Sequence, residues 1–393
     1  MVTCNLARPI LQRNNDSEPR LRTNRVLFAL TLLSASFVAK AAQAGGMDPT
    51  PERLVLQPGG IPNGATCQGI AANPQAFVNA NPGQSPNAFG CKPDNIAFAN
   101  MVSELGFAIA PTAFHPARTT GIGGFALTLE ASYTKINADA FSKAANGQLT
   151  QYWHQGTQGS IDPNNKQFSI TNNSPDSLLQ VYSLKARKGL PFGFELAGAL
   201  GTLANTSMWV TGADIRWSLM EGFRTGGLGL LPDVAVGGGV RTLMGTSKFH
   251  LTTVGIDAQV SKPITLADSS ILTPYIGYQR LIIFGDSVVV DTTPNVDPLK
   301  QCGYQGADPN TGEPRCTNKL SNGASNDGDF NNNVTFDKVR THRHRGIFGV
   351  NYRYEVLYLA SQFLIDLTPP SDENPGLSDS RQWTFSLEAG VFF

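Results

Sequence analysis

The chain has 393 residues, of which 30 are basic and 30 acidic, so its formal net charge is zero. Only 15% of its residues are charged, whereas about 25% is usual for soluble domains. The aromatic content of 9% argues against a disordered chain, and the absence of a basic surplus argues against a nucleic-acid partner. A helical membrane protein is also excluded, because no apolar run of about 20 residues follows the N-terminal region.

The N-terminal region has the three parts of a secretory signal peptide. Arginines within residues 20–25 precede an apolar run from Val26 to Ala39, and an Ala-Gln-Ala sequence ends at Ala44. This order predicts a signal peptide over residues 1–44 that is cleaved after Ala44. The apolar run is too short to cross a bilayer as a helix.

Four cysteines remain after the predicted cleavage, as two pairs that are local in sequence. They are Cys67, Cys91, Cys302 and Cys316. Export permits two disulfides; three connectivities are possible, and local pairing is the simplest of them. Closing the 302–316 loop would contribute about 3 kcal/mol in the chain-entropy model. No metal site or cofactor is predicted, because neither pair has a CxxC spacing or a nearby histidine cluster.

From residue 122 onward, apolar residues alternate with small or polar ones, which is typical of strands with two different faces. Fourteen-residue strands are long for a soluble β-sandwich, the alternative fold. In lipid a sheet must close to pair its backbone. We therefore predict an all-β fold, a transmembrane antiparallel up-and-down β-barrel of about 10 strands (8–12), with a possible bulge at Gln279-Arg280. The predicted strands are 122–136, 178–188, 192–203, 206–219, 233–244, 248–261, 271–284, 340–354, 356–367 and 381–393.

The last strand carries apolar residues on one face and ends the chain in an aromatic residue. This face contains Trp383, Phe385, Leu387, Val391 and Phe393. The strand resembles the C-terminal strand of bacterial outer-membrane β-barrels, and residues 122–393 resemble that family in their general pattern. The resemblance implies that the barrel-assembly machinery binds this strand as an assembly signal in the cell outer membrane. Short stretches such as 274–278 resemble uncharacterised outer-membrane proteins of Gram-negative bacteria.

The polar faces of the predicted strands carry nearly balanced charges, which we predict to face the lumen. They are Glu130, Lys185, Arg187, Asp214, Arg216, Arg241, Asp257, Arg353, Glu355 and Glu388. Such charges either pair across a narrow lumen and fill it or line a small polar pore that selects solutes. The sequence leaves both alternatives open.

Loop lengths predict the orientation, because barrels of this kind have long outer loops and short periplasmic turns. The long insertions 137–177 and 285–339 fall on one side and Phe393 on the other. Residues 45–121 precede the barrel; we predict an irregular periplasmic segment pinned by Cys67–Cys91, with one short helix near 96–106. The alternative is a plug that enters the barrel mouth.

A basic cluster lies at the outer end of the eighth predicted strand, where lipopolysaccharide phosphates favour arginine and lysine. The predicted lipopolysaccharide contacts are Lys338, Arg340, His342, Arg343, His344 and Arg345. Alternation nevertheless turns Arg343 and Arg345 inward, and a solvated strand end with salt bridges inside the barrel is the alternative.

The predicted function is a structural, surface-interaction or passive-transport (porin-like) role, without catalysis. Outer-membrane lipid, lipopolysaccharide and the barrel-assembly machinery are the expected partners, and no nucleic acid is expected. The alternative is an outer-membrane hydrolase, a protease or lipid-modifying enzyme with a histidine at the rim. The five histidines lie in no local triad motif.

Overall fold

The computed structural model describes residues 47–56, 61, 65–136, 141–143, 149–151, 177–222, 231–267, 269–368 and 381–393. The predicted signal peptide lies outside these residues, as do most of the connections 137–177 and 368–380.

Ten long antiparallel strands close into a barrel, which confirms the predicted fold class. Each strand pairs with its sequence neighbours, and the first pairs with the last. The strands are β1 Phe125–Lys135, β2 Leu178–Gly189, β3 Phe194–Leu203, β4 Trp209–Met220, β5 Asp233–Met244, β6 Phe249–Ser261, β7 Ser270–Ser287, β8 Val339–Tyr354, β9 Leu357–Asp366 and β10 Trp383–Phe392. The β1–β10 seam is completed by mutual backbone hydrogen bonds between Phe125 and Phe393 of 3.1 and 2.8 Å.

Smaller elements surround the barrel strands. A short strand, Ile264–Ala267, folds back on the start of β7. Two-stranded pairs join Val55–Leu56 to Lys92–Pro93, Phe141–Lys143 to Leu149–Gln151, Val290–Asp291 to Asn333–Val334, and Tyr304–Ala307 to Pro314–Cys316. The helices are α1 Cys67–Ala72, α2 Pro74–Ala80, α3 Asn95–Ile109 and α4 Pro298–Cys302, with 3₁₀ turns at Pro51–Arg53, Pro86–Ala88, Pro191–Gly193 and Gly328–Asn331. None of the described helices is long and apolar enough to cross a membrane.

The predicted bulge at Gln279-Arg280 is wrong. The register of β7 runs without interruption through both residues, against β6 on one side and β8 on the other. Alternation therefore continues, with Gln279 buried and Arg280 exposed. A register shift occurs instead between Ser218 and Met220, where β4 meets β5.

The outer face of the barrel is apolar. Its most exposed large side chains include Leu200, Ile215, Ile256, Ile276 and Leu359, each more than half exposed. Aromatic side chains lie near the strand ends: Trp209 and Trp383 begin their strands, and Trp217 stacks on Phe194 at a ring distance of 5.5 Å near the opposite end. A continuous apolar surface flanked by aromatic residues matches a bilayer rather than water.

The two ends of the barrel differ in their connections. The connections after β1, β7 and β9 are long, and we call this end the loop end. The connections after β2, β4, β6 and β8 are shorter and share their end with Phe393; we call it the turn end. This arrangement has the alternation of long and short loops that the sequence predicts.

The first part of the N-terminal segment lies at the loop end and not at the turn end, where the predicted topology puts residues 45–121. The Met47 backbone N–H donates to Asn205 O (3.0 Å) and the Ser207 N–H donates to Asp48 Oδ1 (2.8 Å), both in the β3–β4 connection at the loop end. From there α3 enters the lumen, and residues 110–121 descend to the turn end. The plug alternative therefore describes residues 95–121.

Helix α3 lies inside the lumen because it is apolar on nearly all sides, so each of its faces must be buried. Phe98, Met101, Leu105 and Phe107 are fully buried. Asp94 caps the helix by accepting a hydrogen bond from the Ala97 N–H at 3.0 Å. The loop-end half of the lumen is consequently a hydrophobic core built around this helix.

Two glycines allow α3 to approach β7 closely. A Cβ on Gly106 would lie 2.4 Å from Ile283 Cγ2, and one on Gly285 would lie 2.6 Å from Val102 Cγ1. Both distances are too short for a real contact, so neither position accepts a side chain without displacement of the helix.

The described residues of 47–94 pack with residues 288–338 over the loop end, and we call this assembly the cap. Gln75 Nε2 donates to Ser321 Oγ (2.7 Å) and Gln301 Nε2 donates to Ala71 O (2.9 Å). Each part contains one disulfide, Cys67–Cys91 and Cys302–Cys316, the local pairing. Burial raises the pKa of Asp329, which accepts hydrogen bonds inside the cap.

The close approach of α3 to β7 predicts that Gly106→Val destabilises the protein. Overpacking of this kind costs about 1–3 kcal/mol, which exceeds the few tenths of a kcal/mol by which valine is more favourable than glycine in a helix. The measurement is the midpoint of thermal unfolding in detergent. Gly198→Ala in β3 is the control, because a Cβ there meets no atom within 4 Å. An equal midpoint for both variants would contradict this packing.

Candidate functional site

Residues 110–121, which we call the lumen segment, cross the barrel interior without regular secondary structure. Pro111 and Pro116 prevent a continuous helix, since proline lacks the N–H donor. The backbone carbonyls of the segment therefore need partners from the barrel wall.

Inward-facing side chains of the barrel supply these partners. The bonds are Arg345 Nη2 to Pro111 O (2.6 Å), Gln362 Nε2 to Thr112 O (2.7 Å), Gln259 Nε2 to Ala113 O (2.9 Å), Tyr358 Oη to Phe114 O (3.2 Å), and Arg216 Nη1 to His115 O and Pro116 O (2.8 Å each). Donors from four strands thus follow the segment down the lumen. Every backbone carbonyl from residue 111 to residue 116 therefore accepts a hydrogen bond from the wall.

An ion pair lies beside the middle of the lumen segment. Lys185 of β2 contacts Glu130 of β1, and both are about 5% exposed. Lys185 also donates to Thr112 Oγ1 (2.6 Å), which itself donates to Glu130 Oε2 (3.1 Å). The pair therefore binds the lumen segment as well as joining neighbouring strands.

A second group of charges lies nearer the turn end. Arg187 is within 3.8 Å of Glu388 and 4.0 Å of Glu195, and His115 Nε2 is 3.4 Å from Glu195. The Glu195 carboxylate also accepts a hydrogen bond from the Thr120 N–H at 2.8 Å. Two wall carboxylates thus surround one arginine.

The loop-end half of the lumen contains two further arginine sites. Arg343 contacts Asp366, and its guanidinium lies 4.5 Å from the Phe107 ring centre. Arg241 of β5 binds Asp214 of β4 through two hydrogen bonds of 2.7 Å. Bidentate arginine–carboxylate pairs are the stronger kind, so these contacts brace adjacent strands.

Most predicted lumen charges lie inside the barrel. The buried ones are Glu130, Lys185, Arg187, Arg216, Arg241, Asp257 and Glu388, and Asp214 is half-buried. Arg353 and Glu355 lie at the turn-end mouth, where Arg353 is half-buried and Glu355 is exposed. Glu355 occupies the β8–β9 turn with φ of 50°, so the turn rather than the strand fixes its direction.

The predicted lipopolysaccharide contacts divide between the two faces of β8. Arg343 and Arg345 are 3% and 1% exposed and bind the lumen network, so assigning them to a lipid contact is wrong. Lys338 and Arg340 are exposed; Lys338 pairs with Asp286 (3.1 Å), and Arg340 lies over the Phe284 ring.

His342 and His344 are half-buried on the outer face of β8. His344 Nδ1 contacts the Tyr278 hydroxyl, and their rings stack at 5.8 Å. Arg280 lies opposite His344 in the register and is exposed. The sequence prediction omitted Arg280, because the expected bulge at Gln279-Arg280 left open which face of the strand carries this residue.

Two lumen carboxylates were also missed, Glu195 in β3 and Asp366 in β9. Both lie on the buried, polar phase of predicted strands, so alternation contained the signal. The polar partners Gln259, Gln279 and Gln362 carry no charge. The sequence therefore indicated only that they lie on the inward face of their strands.

The predicted assembly strand is β10. Phe385, Leu387 and Phe393 are exposed and Trp383 is half-buried. Val391 shares their phase but is only 2% exposed.

The described histidines form no cluster. His115 lies in the lumen, His250 is exposed near the loop end, and His342 and His344 face outward. Within the described part of the chain, no group of three or more His, Cys, Asp or Glu residues could hold a metal ion.

No protein-family model matches the chain, and no curated protein matches its sequence. Among solved structures, it is similar to Ail, the attachment invasion locus protein of Yersinia pestis (9% identity, 69% of this chain and 99% of that one, TM-score 0.22). It is also similar to the N-terminal β-barrel domain of Pseudomonas aeruginosa OprF (8% identity, 70% of this chain and 99% of that one, TM-score 0.24). A third similar structure is the outer membrane protease OmpT from Escherichia coli (8% identity, 69% of this chain and 95% of that one, TM-score 0.30). At these identities the likeness concerns the fold alone.

The Lys185–Glu130 pair predicts strong coupling in a double-mutant cycle. Lys185→Met leaves Glu130 buried without its cation and should cost about 3–5 kcal/mol of unfolding free energy. Adding Glu130→Gln should recover part of that loss, because no buried charge is then left unpaired. Denaturant unfolding in detergent gives both values.

The matched control is the exposed Lys338–Asp286 pair, for which Asp286→Asn should cost at most about 1 kcal/mol. If the changes in unfolding free energy caused by Lys185→Met and Glu130→Gln were additive, this result would contradict an energetic coupling between Lys185 and Glu130.

Proposed function

We propose that the protein is an outer-membrane β-barrel that is closed across its lumen and presents its cap at the cell surface for interaction with other molecules. The observation that carries this proposal is the path of the chain. Residues 47–94 cover the loop end, α3 fills the lumen beneath them, and the lumen segment continues to the turn end.

The location rests on the apolar outer face together with the predicted signal peptide. A closed sheet with lipid-compatible side chains outside and charges inside fits a bilayer. The loop end then faces outward, because long loops are outer loops in such barrels. The cap, with its two disulfides, would lie in an oxidising environment.

The outer face near the loop end would contact lipopolysaccharide. Arg280, Lys338 and Arg340 are exposed there, and His344 lies beside Arg280. Guanidinium and ammonium groups at this level suit lipid A phosphates. The exposed strand β10 would be the segment that the barrel-assembly machinery binds.

A static porin role is disfavoured by the filling of the lumen. The cavity beside Thr112, Lys185 and Arg241 has a volume of about 20 Å³, which is enough for about one water molecule. The polar groups around the lumen segment are used to bind it, so they do not line a water-filled channel.

The path of the N-terminal segment predicts that the cap is accessible from outside the cell. An epitope tag inserted in the turn at residues 81–83, whose Pro82 and Gly83 are exposed, should bind antibody on intact cells. The same tag at Phe192, in a turn-end connection, should bind antibody only after permeabilisation. The reverse pattern would contradict the proposed orientation.

The filled lumen predicts electrical silence. The purified protein should give no stable single-channel conductance in planar bilayers. Arg345→Ala removes donors to the lumen segment and to Phe107 O, so it should produce intermittent openings, whereas Arg315→Ala in the cap should stay silent. Stable conductance of the unaltered protein would contradict closure, and hydrolysis of peptide or lipopolysaccharide that is lost in His344→Ala would favour the hydrolase alternative.

A further inference from the structure

A cavity of about 450 Å³ lies at the turn end, between the lumen segment and the ends of the strands. We call it the vestibule. Its lining includes Arg118, Arg187, Asn351, Arg353, Tyr358 and Phe392. This volume lies within the range of about 300–1,000 Å³ that is usual for small-molecule sites.

Three guanidinium groups line the vestibule, and two of them, Arg118 and Arg353, have no described carboxylate partner. Arg118 is exposed and Arg353 is half-buried, and neither forms an ion pair with a described carboxylate. Arg353 Nε donates to the backbone oxygen of Glu355 (3.1 Å), and its guanidinium lies 4.1 Å from the Phe392 ring centre. Arg353 is thereby held in place with most of its donors free for a ligand.

Buried donors also lack hydrogen-bond partners here. The Arg187 side chain is 5% exposed, and its nearest described carboxylates lie 3.8 and 4.0 Å away. Its Nε and Nη2 atoms make no hydrogen bond with the described protein groups, and the neighbouring Oε1 atoms of Glu195 and Glu388 also make none. Nδ2 of Asn351, which is 4% exposed, likewise makes no hydrogen bond with the described protein groups. Buried donors are rarely left without partners in native proteins.

The vestibule also contains two carboxylates. Glu221 accepts hydrogen bonds from the Thr119 N–H and Oγ1, both at 3.0 Å, and so holds the lumen segment. Glu355 is exposed at the rim. Arg118 and Arg353 balance these two carboxylates, and Arg187 lies between Glu195 and Glu388.

We propose that the vestibule binds a small soluble organic anion, with its carboxylate or phosphate held by Arg118 and Arg353 and its apolar part on Tyr358 and Phe392. Arginine is suited to planar, bidentate recognition of such oxyanions. A lipid headgroup is the poorer candidate, because the lining strand residues lie on the inward phase of the barrel. The proposal is independent of what the cap binds.

The test is isothermal titration of the full chain in detergent with phenyl phosphate, and with inorganic phosphate and benzyl alcohol as partial probes. Phenyl phosphate should bind, inorganic phosphate should bind more weakly, and benzyl alcohol should not bind. Arg118→Gln and Arg353→Gln should each lower the affinity for phenyl phosphate about tenfold or more, the value of one charged hydrogen bond.

Arg315→Gln, at an exposed arginine of the cap, should leave the affinity unchanged. Arg118 is exposed, so its variant tests the site even where Arg187 variants fail to fold, and unchanged heat-modifiable migration on gels verifies folding. Absence of phenyl phosphate binding, or equal binding by the Arg118→Gln/Arg353→Gln double variant, would overturn the proposal. Tighter binding of a short-chain phosphatidylglycerol than of phenyl phosphate would also overturn it, in favour of a lipid headgroup.

Discussion

The interior of this barrel depends on the need to satisfy a non-helical backbone far from bulk water. A carbonyl group that is buried without a hydrogen bond costs free energy comparable to a lost hydrogen bond. The lumen segment meets this need through donors on the wall, of which Arg216, Gln259 and Arg345 are examples. The polar side chains of the lumen therefore hold this chain, and the pairs such as Arg241–Asp214 also brace neighbouring strands.

Two different cores follow from that arrangement. Near the loop end, α3 satisfies its own backbone, so the wall around it can be apolar, as at Ile283 and Leu281. Polar wall residues begin beside the second half of α3, where Arg343 and Arg345 lie over the Phe107 ring. Below Ile109 the helix ends, and the wall donates hydrogen bonds to the irregular lumen segment.

The barrel itself could be predicted from the sequence, because period-two alternation is a local property of each strand. The phase of Glu130, Lys185 and Arg241 was correct for the same reason. The end of the barrel at which residues 47–94 lie could not be predicted, since it depends on contacts such as Gln75 with Ser321, which are distant in sequence. Arg343 and Arg345 were assigned to a lipid contact because they belong to a basic cluster in the sequence, although alternation along β8 places both on its inward face.

The seam between β1 and β10 has a consequence for biogenesis. The chain reaches β1 only after passing down the lumen from a cap at the opposite end, and Phe125 and Phe393 then join the two edges. A ring that had already closed would have to admit the helices and disulfide loop of the cap through its own interior. If the wall instead wraps around the plug before Phe125 and Phe393 pair, that passage is avoided and the β1–β10 seam is the last part of the ring to form.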